Sequence, residues 1–199
     1  MGSGNWIGYY DAQEGREPRE LLTEVLRAFD ADGRVGSAVD LGCGDGADSL
    51  ALLERGWDVL SIDAQDDAIR RLRARLTDDV AARSTTVVSP MQVVDLPRAD
   101  LVFASFSLPF CPPEAFPDLW ARIRASLHPG GRFAGELFGD RDTWASDPEM
   151  TFHDVDAARA LFDGLELESF VEEDEDGEAF EGPKHWHVFH VIAKRTDAG

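Results

Sequence analysis

The densest run of residues able to do chemistry is Val39-Asp40-Leu41-Gly42-Cys43-Gly44-Asp45-Gly46, followed by a second acid, Asp63, at the end of the next apolar stretch. Glycines between a strand-like and a helix-like run allow a tight turn and let a ligand approach bare backbone. A carboxylate about 20 residues beyond such a loop is placed to accept hydrogen bonds from both hydroxyls of a ribose. Alone, the glycines are a turn and Asp63 is a helix cap. Together, in strand–loop–helix–strand order, they describe a nucleotide site.

Two nucleotide classes compete for it. Gly42-x-Gly44-x-x-Ala47 satisfies the dinucleotide fingerprint, which tolerates Ala in the last place. An NAD(P)-dependent oxidoreductase is therefore one reading. Asp40 argues for the other. A dinucleotide sets its pyrophosphate at the helix N-terminus, where positive potential is wanted. A carboxylate two residues before the first glycine suits a ligand with an ammonium group and no phosphate. S-adenosylmethionine has an ammonium, a sulfonium and a ribose.

The elements that must position these residues alternate in type. Amphipathic helices are expected at Pro18 to Asp30, Ala47 to Arg55, Asp66 to Leu76 and Phe116 to Leu127, and a short one between Asp154 and Gly164. Strands are expected at Ser37 to Leu41, Trp57 to Ile62, Thr85 to Ser89, Asp100 to Ser105 and Arg132 to Phe138, then Leu165 to Val171 and His185 to Ala193. Strands separated by helices imply a parallel sheet covered on both faces. His128-Pro129-Gly130-Gly131 reads as a turn, and the acidic run Glu172 to Glu178 as a solvated hairpin tip.

The chain has 199 residues, room for one domain with a full core. It has no apolar run long enough to span a bilayer. Met1-Gly2-Ser3-Gly4 lacks the basic-then-apolar pattern of a secretory signal. Cys43 and Cys111 form no disulfide framework and lie at no metal-ligand spacing, so a reducing, cytoplasmic location and no metal are expected. The net charge of -20, from 39 acidic and 19 basic residues, disfavours nucleic acid and anionic membranes as partners.

Asp40-Leu41-Gly42-Cys43-Gly44-Asp45-Gly46, Asp63 and His128-Pro129-Gly130-Gly131 resemble the class I S-adenosylmethionine-dependent methyltransferases, and within them the bacterial small-molecule, tellurite-resistance type. The resemblance implies an α/β, Rossmann-like sheet of seven strands, mostly parallel, flanked by helices and closed by a C-terminal antiparallel hairpin. It implies one methyltransferase domain over residues 1–199, with an N-terminal lid and helix in 1–36 and the core in 37–199. Gly42, Gly44 and Gly46, with Asp40, would hold the methionine part of the cofactor. Asp63 would take the ribose, Ala64 the adenine, Met91 and Gln92 the adenine edge, and Ser105 the place where cofactor meets acceptor. The product would be S-adenosylhomocysteine.

Trp6, Tyr10, Arg16, Phe106 and Trp144 are the candidate substrate-pocket residues, as aromatic walls suit a sulfonium and a flat acceptor. No catalytic side chain is legible, because methyl transfer mainly needs alignment and a suitable field. His153 is a candidate base, more simply read as a surface or capping histidine; Glu136 and Asp140 are placed to polarise an acceptor and are equally readable as buried, hydrogen-bonded carboxylates. His185 and His187 share one strand face and His190 takes the other. A small-molecule methyltransferase is thus expected, against an oxidoreductase or a non-catalytic cofactor-binding regulatory protein.

At a net charge of -20, repulsion among surface carboxylates works against the folded state, and added salt screens it. Thermal melts across a sodium chloride series should show a rising midpoint. A flat or falling one would show that repulsion is not limiting.

Overall fold

Five apolar runs, too short for helices and rich in Val, Leu and Phe, assemble side by side as the parallel part of one sheet. The computed structural model describes residues 5–196. Met1 to Gly4, read above for a leader, and residues 197–199 lie outside the described residues. The elements are α1 (Trp6–Gln13), α2 (Glu20–Ala31), β1 (Ser37–Leu41), α3 (Ala47–Glu54), β2 (Asp58–Asp63), α4 (Asp66–Arg75), α5 (Asp78–Ala81), β3 (Ser84–Val88), β4 (Ala99–Ala104), α6 (Phe116–Ser126), β5 (Leu127–Gly139), β6 (Phe152–His153), α7 (Val155–Ala160), β7 (Glu166–Ala179) and β8 (Gly182–Lys194).

The strand order is β3-β2-β1-β4-β5-β8-β7, with β6 pairing beside the end of β5. β8 runs antiparallel to both of its neighbours. The chain winds one way from β1 to β3 and the other way from β4 onward. The order therefore reverses between β1 and β4, and a crevice opens at the carboxyl ends of those strands. The sheet is Rossmann-like, as expected, with the two-residue β6 as an addition.

Two cores sandwich the sheet. Leu22, Val25 and Phe29 of α2 meet Leu52, Trp57, Ile69 and Leu72 on one face. Leu119, Trp120 and Ile123 of α6 meet Phe133, Phe162 and Phe189 on the other. Arg132 is buried at 2% exposure because Asp32 and Glu168 bracket it at 2.8 and 2.6 Å. A buried guanidinium is tolerable only when so paired.

Two expectations are corrected. His128-Pro129-Gly130-Gly131 is not a separating turn. It lies within β5, as an irregular stretch between Leu127, opposite Ala99, and Arg132, opposite Leu101. Gly130 takes a positive φ of 74° there.

The acidic run is not a solvated tip either. β7 continues through it to Ala179 and pairs throughout with β8. Alternate acids find partners across the strands. Arg141 takes Glu172 and Asp174 at 2.6 and 2.7 Å, and His185 takes Asp174 and Asp176 at 2.9 and 2.8 Å. On the opposite face Glu173 meets His190 at 2.9 Å. Cross-strand pairing removes the repulsion that would otherwise fray such a strand.

Gly46 opens α3 with φ 85°, and a Cβ there would lie 2.5 Å from Leu72 Cδ1 and 2.8 Å from Leu72 Cβ. Gly46→Ala combines left-handed strain with overpacking, so it should cost about 2–4 kcal/mol of stability. Urea unfolding checks this; an unchanged midpoint would mean that α3 and α4 separate at little cost.

Candidate functional site

The loop after β1 turns through three left-handed glycines that do different work. At Gly42 a Cβ would collide with the Ser107 side chain, whose hydroxyl donates to the Leu41 carbonyl at 2.5 Å. Gly42 thus lets the turn after β4 pack against β1. Gly46 is needed by Leu72, as described. Gly44 differs, because a Cβ there would face only the Tyr10 ring, at 3.5 Å. Gly42 and Gly44 line a cavity of about 620 Å³ at the crevice between β1 and β4.

Asp63, at the end of β2, ties this loop down. Its Oδ2 accepts the Gly44 N–H at 2.9 Å and its Oδ1 accepts the Gln65 N–H at 2.8 Å. The Tyr10 hydroxyl donates to Oδ1 from 3.5 Å, at the limit of a hydrogen bond. Burial raises the Asp63 pKa, against the pull of these donors. The Tyr10 phenol is pushed upward by its own burial and by the Asp63 charge.

Asp40 lies deeper, at 2% exposure, and accepts the Ser49 hydroxyl at 2.6 Å. Burial first, then Asp48, raises its pKa to about 7, with Ser49 opposing. Asp48, in the first turn of α3, holds Arg16 at 2.5 Å and accepts the Arg19 N–H at 2.8 Å. Asp45 holds Arg75 at 3.0 Å.

The remaining wall is aromatic. Trp6 and Tyr9 from α1 meet Phe110 and Phe180, with ring centroids 5.2 and 6.0 Å apart. Phe106 adopts φ 49°, unusual for a residue with a side chain. Its N–H donates to the buried Glu136 at 3.0 Å. Trp144, Phe138 and Trp186 continue the wall. Helix α1 thus sits over the crevice, and Asp11 pins it to Arg71 at 2.6 Å.

Asp40, Gly42, Gly44, Asp63, Ala64, Met91, Gln92, Ser105, Trp6, Tyr10, Arg16, Phe106 and Trp144 all stand on this cavity, and Gly46 does not. Arg16 reaches the wall already engaged by Asp48 and by the Glu17 carbonyl. His153 lies apart, with its Nε2 buried and unpartnered, its pKa lowered by burial, and its ring against Phe116. Sequence reasoning missed Asp48, Glu173, Glu178, Phe180 and Trp186 on the wall. The first was legible as an acid in the turn after the glycines. The others needed the hairpin's true register.

Eight acidic side chains and two arginines line the cavity among the described residues. Such a wall suits a cationic ligand. Ser105 Oγ is buried with no partner, and Gly44 leaves room beside its Cα, so the residues present fit a polar ligand at the β1–β4 crevice. Among the described residues no His, Cys, Asp or Glu group could hold a metal ion, and no helix is long and apolar enough to cross a membrane.

Residues 38–131 match the methyltransferase domain family. A carboxy-S-adenosyl-L-methionine synthase of Trichlorobacter lovleyi is 36% identical over 98 residues, 46% of this chain and 40% of that protein. A probable ribosomal RNA small subunit methyltransferase A of Methanospirillum hungatei is 29% identical over 143 residues, 65% of this chain and 55% of that protein. The chain therefore spans about half or less of the length of these sequence relatives. TehB from Haemophilus influenzae has the same fold, with a TM-score of 0.74 at 17% identity over 96% of this chain and 67% of that one. So does the N-methyltransferase NodS of Bradyrhizobium japonicum, at 0.67 and 17% over 90% and 96%.

Because the folded pKa of Asp40 lies near 7 and an unfolded aspartate titrates near about 4, the folded protein holds the extra proton between those values. Asp40 should therefore cost stability progressively as pH rises from about 4 to about 7. Carbon-13 NMR of the Asp40 carboxyl should show a midpoint near 7, and Asp40→Asn should lessen the fall in stability over that window. A midpoint near 4 would show that water or a cation reaches the group.

Proposed function

We propose that this chain is a class I S-adenosylmethionine-dependent methyltransferase that moves the methyl group of S-adenosylmethionine to a small organic acceptor and releases S-adenosylhomocysteine. The observation that carries this reading is Asp63. It is buried at 8% exposure, accepts the Gly44 N–H, and ends β2, the strand beside β1 at the sheet's reversal point. A ribose would take over the carboxylate lone pairs that Tyr10 touches.

Asp40, Asp45 and Asp48 stand around the start of α3, where a dinucleotide would need room for a pyrophosphate. Their charge suits the ammonium and sulfonium of S-adenosylmethionine, which supplies an electrophilic methyl carbon on a neutral leaving sulfide. Ala64, Met91 and Gln92 would flank the adenine, and Ser105 would offer its unpartnered hydroxyl near the transfer point.

The chain's contribution is alignment and exclusion of water. Trp6, Tyr9 and Tyr10 of α1 close the cavity from above. Phe106 and Trp144 line the cavity as an aromatic wall suited to a flat acceptor. A volume of about 620 Å³ lies in the range of small-molecule pockets. The acidic wall repels polyphosphate backbones, so the reading names a small molecule rather than a nucleic acid. Two free buried cysteines accord with a reducing, cytoplasmic location.

Asp63→Ala should weaken S-adenosylhomocysteine binding by about 1.5–3 kcal/mol through loss of charge-assisted hydrogen bonds. Calorimetry decides it. Unchanged affinity in a folded variant would remove the ribose role of Asp63.

A further inference from the structure

The wall contributed by β7, β8 and the turn after β4 carries its own chemistry. Phe106, Trp186 and Phe180 supply rings, and Glu173 and Glu178 supply charge. Lys184 does not itself line the cavity; it is tied to Asp142 at 2.5 Å, and its ammonium stacks on Trp186, Trp144 and Phe138 at 3.5, 4.2 and 4.6 Å, so rings of the cavity wall already hold one cation. Arg19 is a second nearby cation, and its guanidinium stands over the Phe106 ring at 5.1 Å and donates to the Tyr9 hydroxyl.

Glu173 is not a loose surface acid. Its Oε2 lies 2.9 Å from His190 Nε2, and His190 Nδ1 lies 3.5 Å from Glu136 Oε1. Glu136 is almost wholly buried, and its other oxygen accepts the Phe106 N–H. Burial works against a charged imidazole, but the carboxylates on either side outweigh it and raise the His190 pKa. A cross-strand pair serving only the hairpin would need no buried carboxylate behind it. Here Glu136 and His190 fix one oxygen of Glu173 and leave Oε1 for a ligand. Beside this wall sits the buried, unpartnered Ser105 hydroxyl.

We propose that the methyl acceptor is an amine borne on a flat organic framework, that Glu173 receives its N–H, and that His190 is the positioning residue holding Glu173. The proposal rests on the methyl-transfer reading above. The acceptor binds as an ammonium and first passes one proton through Glu173 Oε1 to water; the freed lone pair then forms the new N–C bond at the methyl carbon, and the C–S electron pair stays on sulfur. The nitrogen becomes positive among Phe106, Trp186 and Glu173, and its proton passes to Glu173 Oε1 and then to water. An alcohol could give its O–H to the fixed carboxylate but brings no charge to the aromatic faces, and a carboxylate acceptor would be repelled. A cation gains from both.

The test uses the full chain with and without saturating S-adenosylhomocysteine, and three probes of one shape: phenethylamine, 2-phenylethanol and phenylacetate. Calorimetry and saturation-transfer NMR measure binding. Phenethylamine should bind about tenfold or more tighter than the alcohol, with phenylacetate weakest. Glu173→Gln should abolish that preference in a protein that stays folded and still binds S-adenosylhomocysteine. His190→Phe should lose most of it, and His190→Gln, which keeps a donor to Glu173, should retain part.

Equal binding of amine and alcohol, no binding of the amine, or an undiminished preference in a folded Glu173→Gln protein would overturn the proposal. Glu178→Gln serves as the second variant, and loss of the preference there alone would overturn the assignment to Glu173. Failure of S-adenosylhomocysteine to bind would sink the methyl-transfer reading instead, since the charge preference is also measured without it.

Discussion

The Asp63 carboxylate accepting the Gly44 N–H joins the glycine loop of β1 to the end of β2, and the rest of the site is arranged around that bond. A backbone N–H at such a loop would otherwise point into solvent or a ligand. Held by a carboxylate, it leaves the loop rigid and the carboxylate only partly satisfied. Asp63 can be buried because Gln65 and Tyr10 also donate to it. The same donors give helix α1 a reason to lie across the crevice. An aromatic segment that would be a solubility liability if exposed becomes a cover over a cavity.

Charge is the second organising constraint. With 39 acidic residues, the chain could fold only if most acids found partners or water. The hairpin solves this by alternation. One face of β7 gives its acids to Arg141 and His185, and the other gives Glu173 to His190. Acids at the crevice are treated differently. Asp48 and Asp45 are matched by single arginines, while burial, with the Asp48 charge, lifts the Asp40 pKa to about 7 against the Ser49 hydroxyl and Arg16. The wall therefore keeps a negative bias that a cation would relieve.

The loop Gly42 to Gly46, Asp63 and the helix–strand alternation were legible in the sequence. Each rests on local chemistry: positive φ demands glycine, a 3.6-residue apolar period demands a helix, and an acid ending the strand next to the reversal point stands at the crevice edge. Asp40 was legible as a residue type but not as a buried, half-protonated group, since depth depends on what α3 packs over it. Gly42 and Gly44 looked equivalent in the motif. Only the approach of Ser107, from 65 residues downstream, separates a packing glycine from a ligand-facing one.

The hairpin was the least legible element. Glu172 to Glu178 has the composition of a solvated tip, because like charges repel and no apolar alternation marks a strand. The partners that make it a strand, Arg141 and the histidines of β8, come from elsewhere in the chain and meet it only when β8 docks antiparallel on β5. So the sequence by itself determined the fold class and the cofactor-loop chemistry, which follow from short-range sterics and periodicity. The aromatic cover, the Glu136–His190–Glu173 line and the acidic wall were decided by tertiary structure, because each is a meeting of side chains whose individual identities have many innocuous readings.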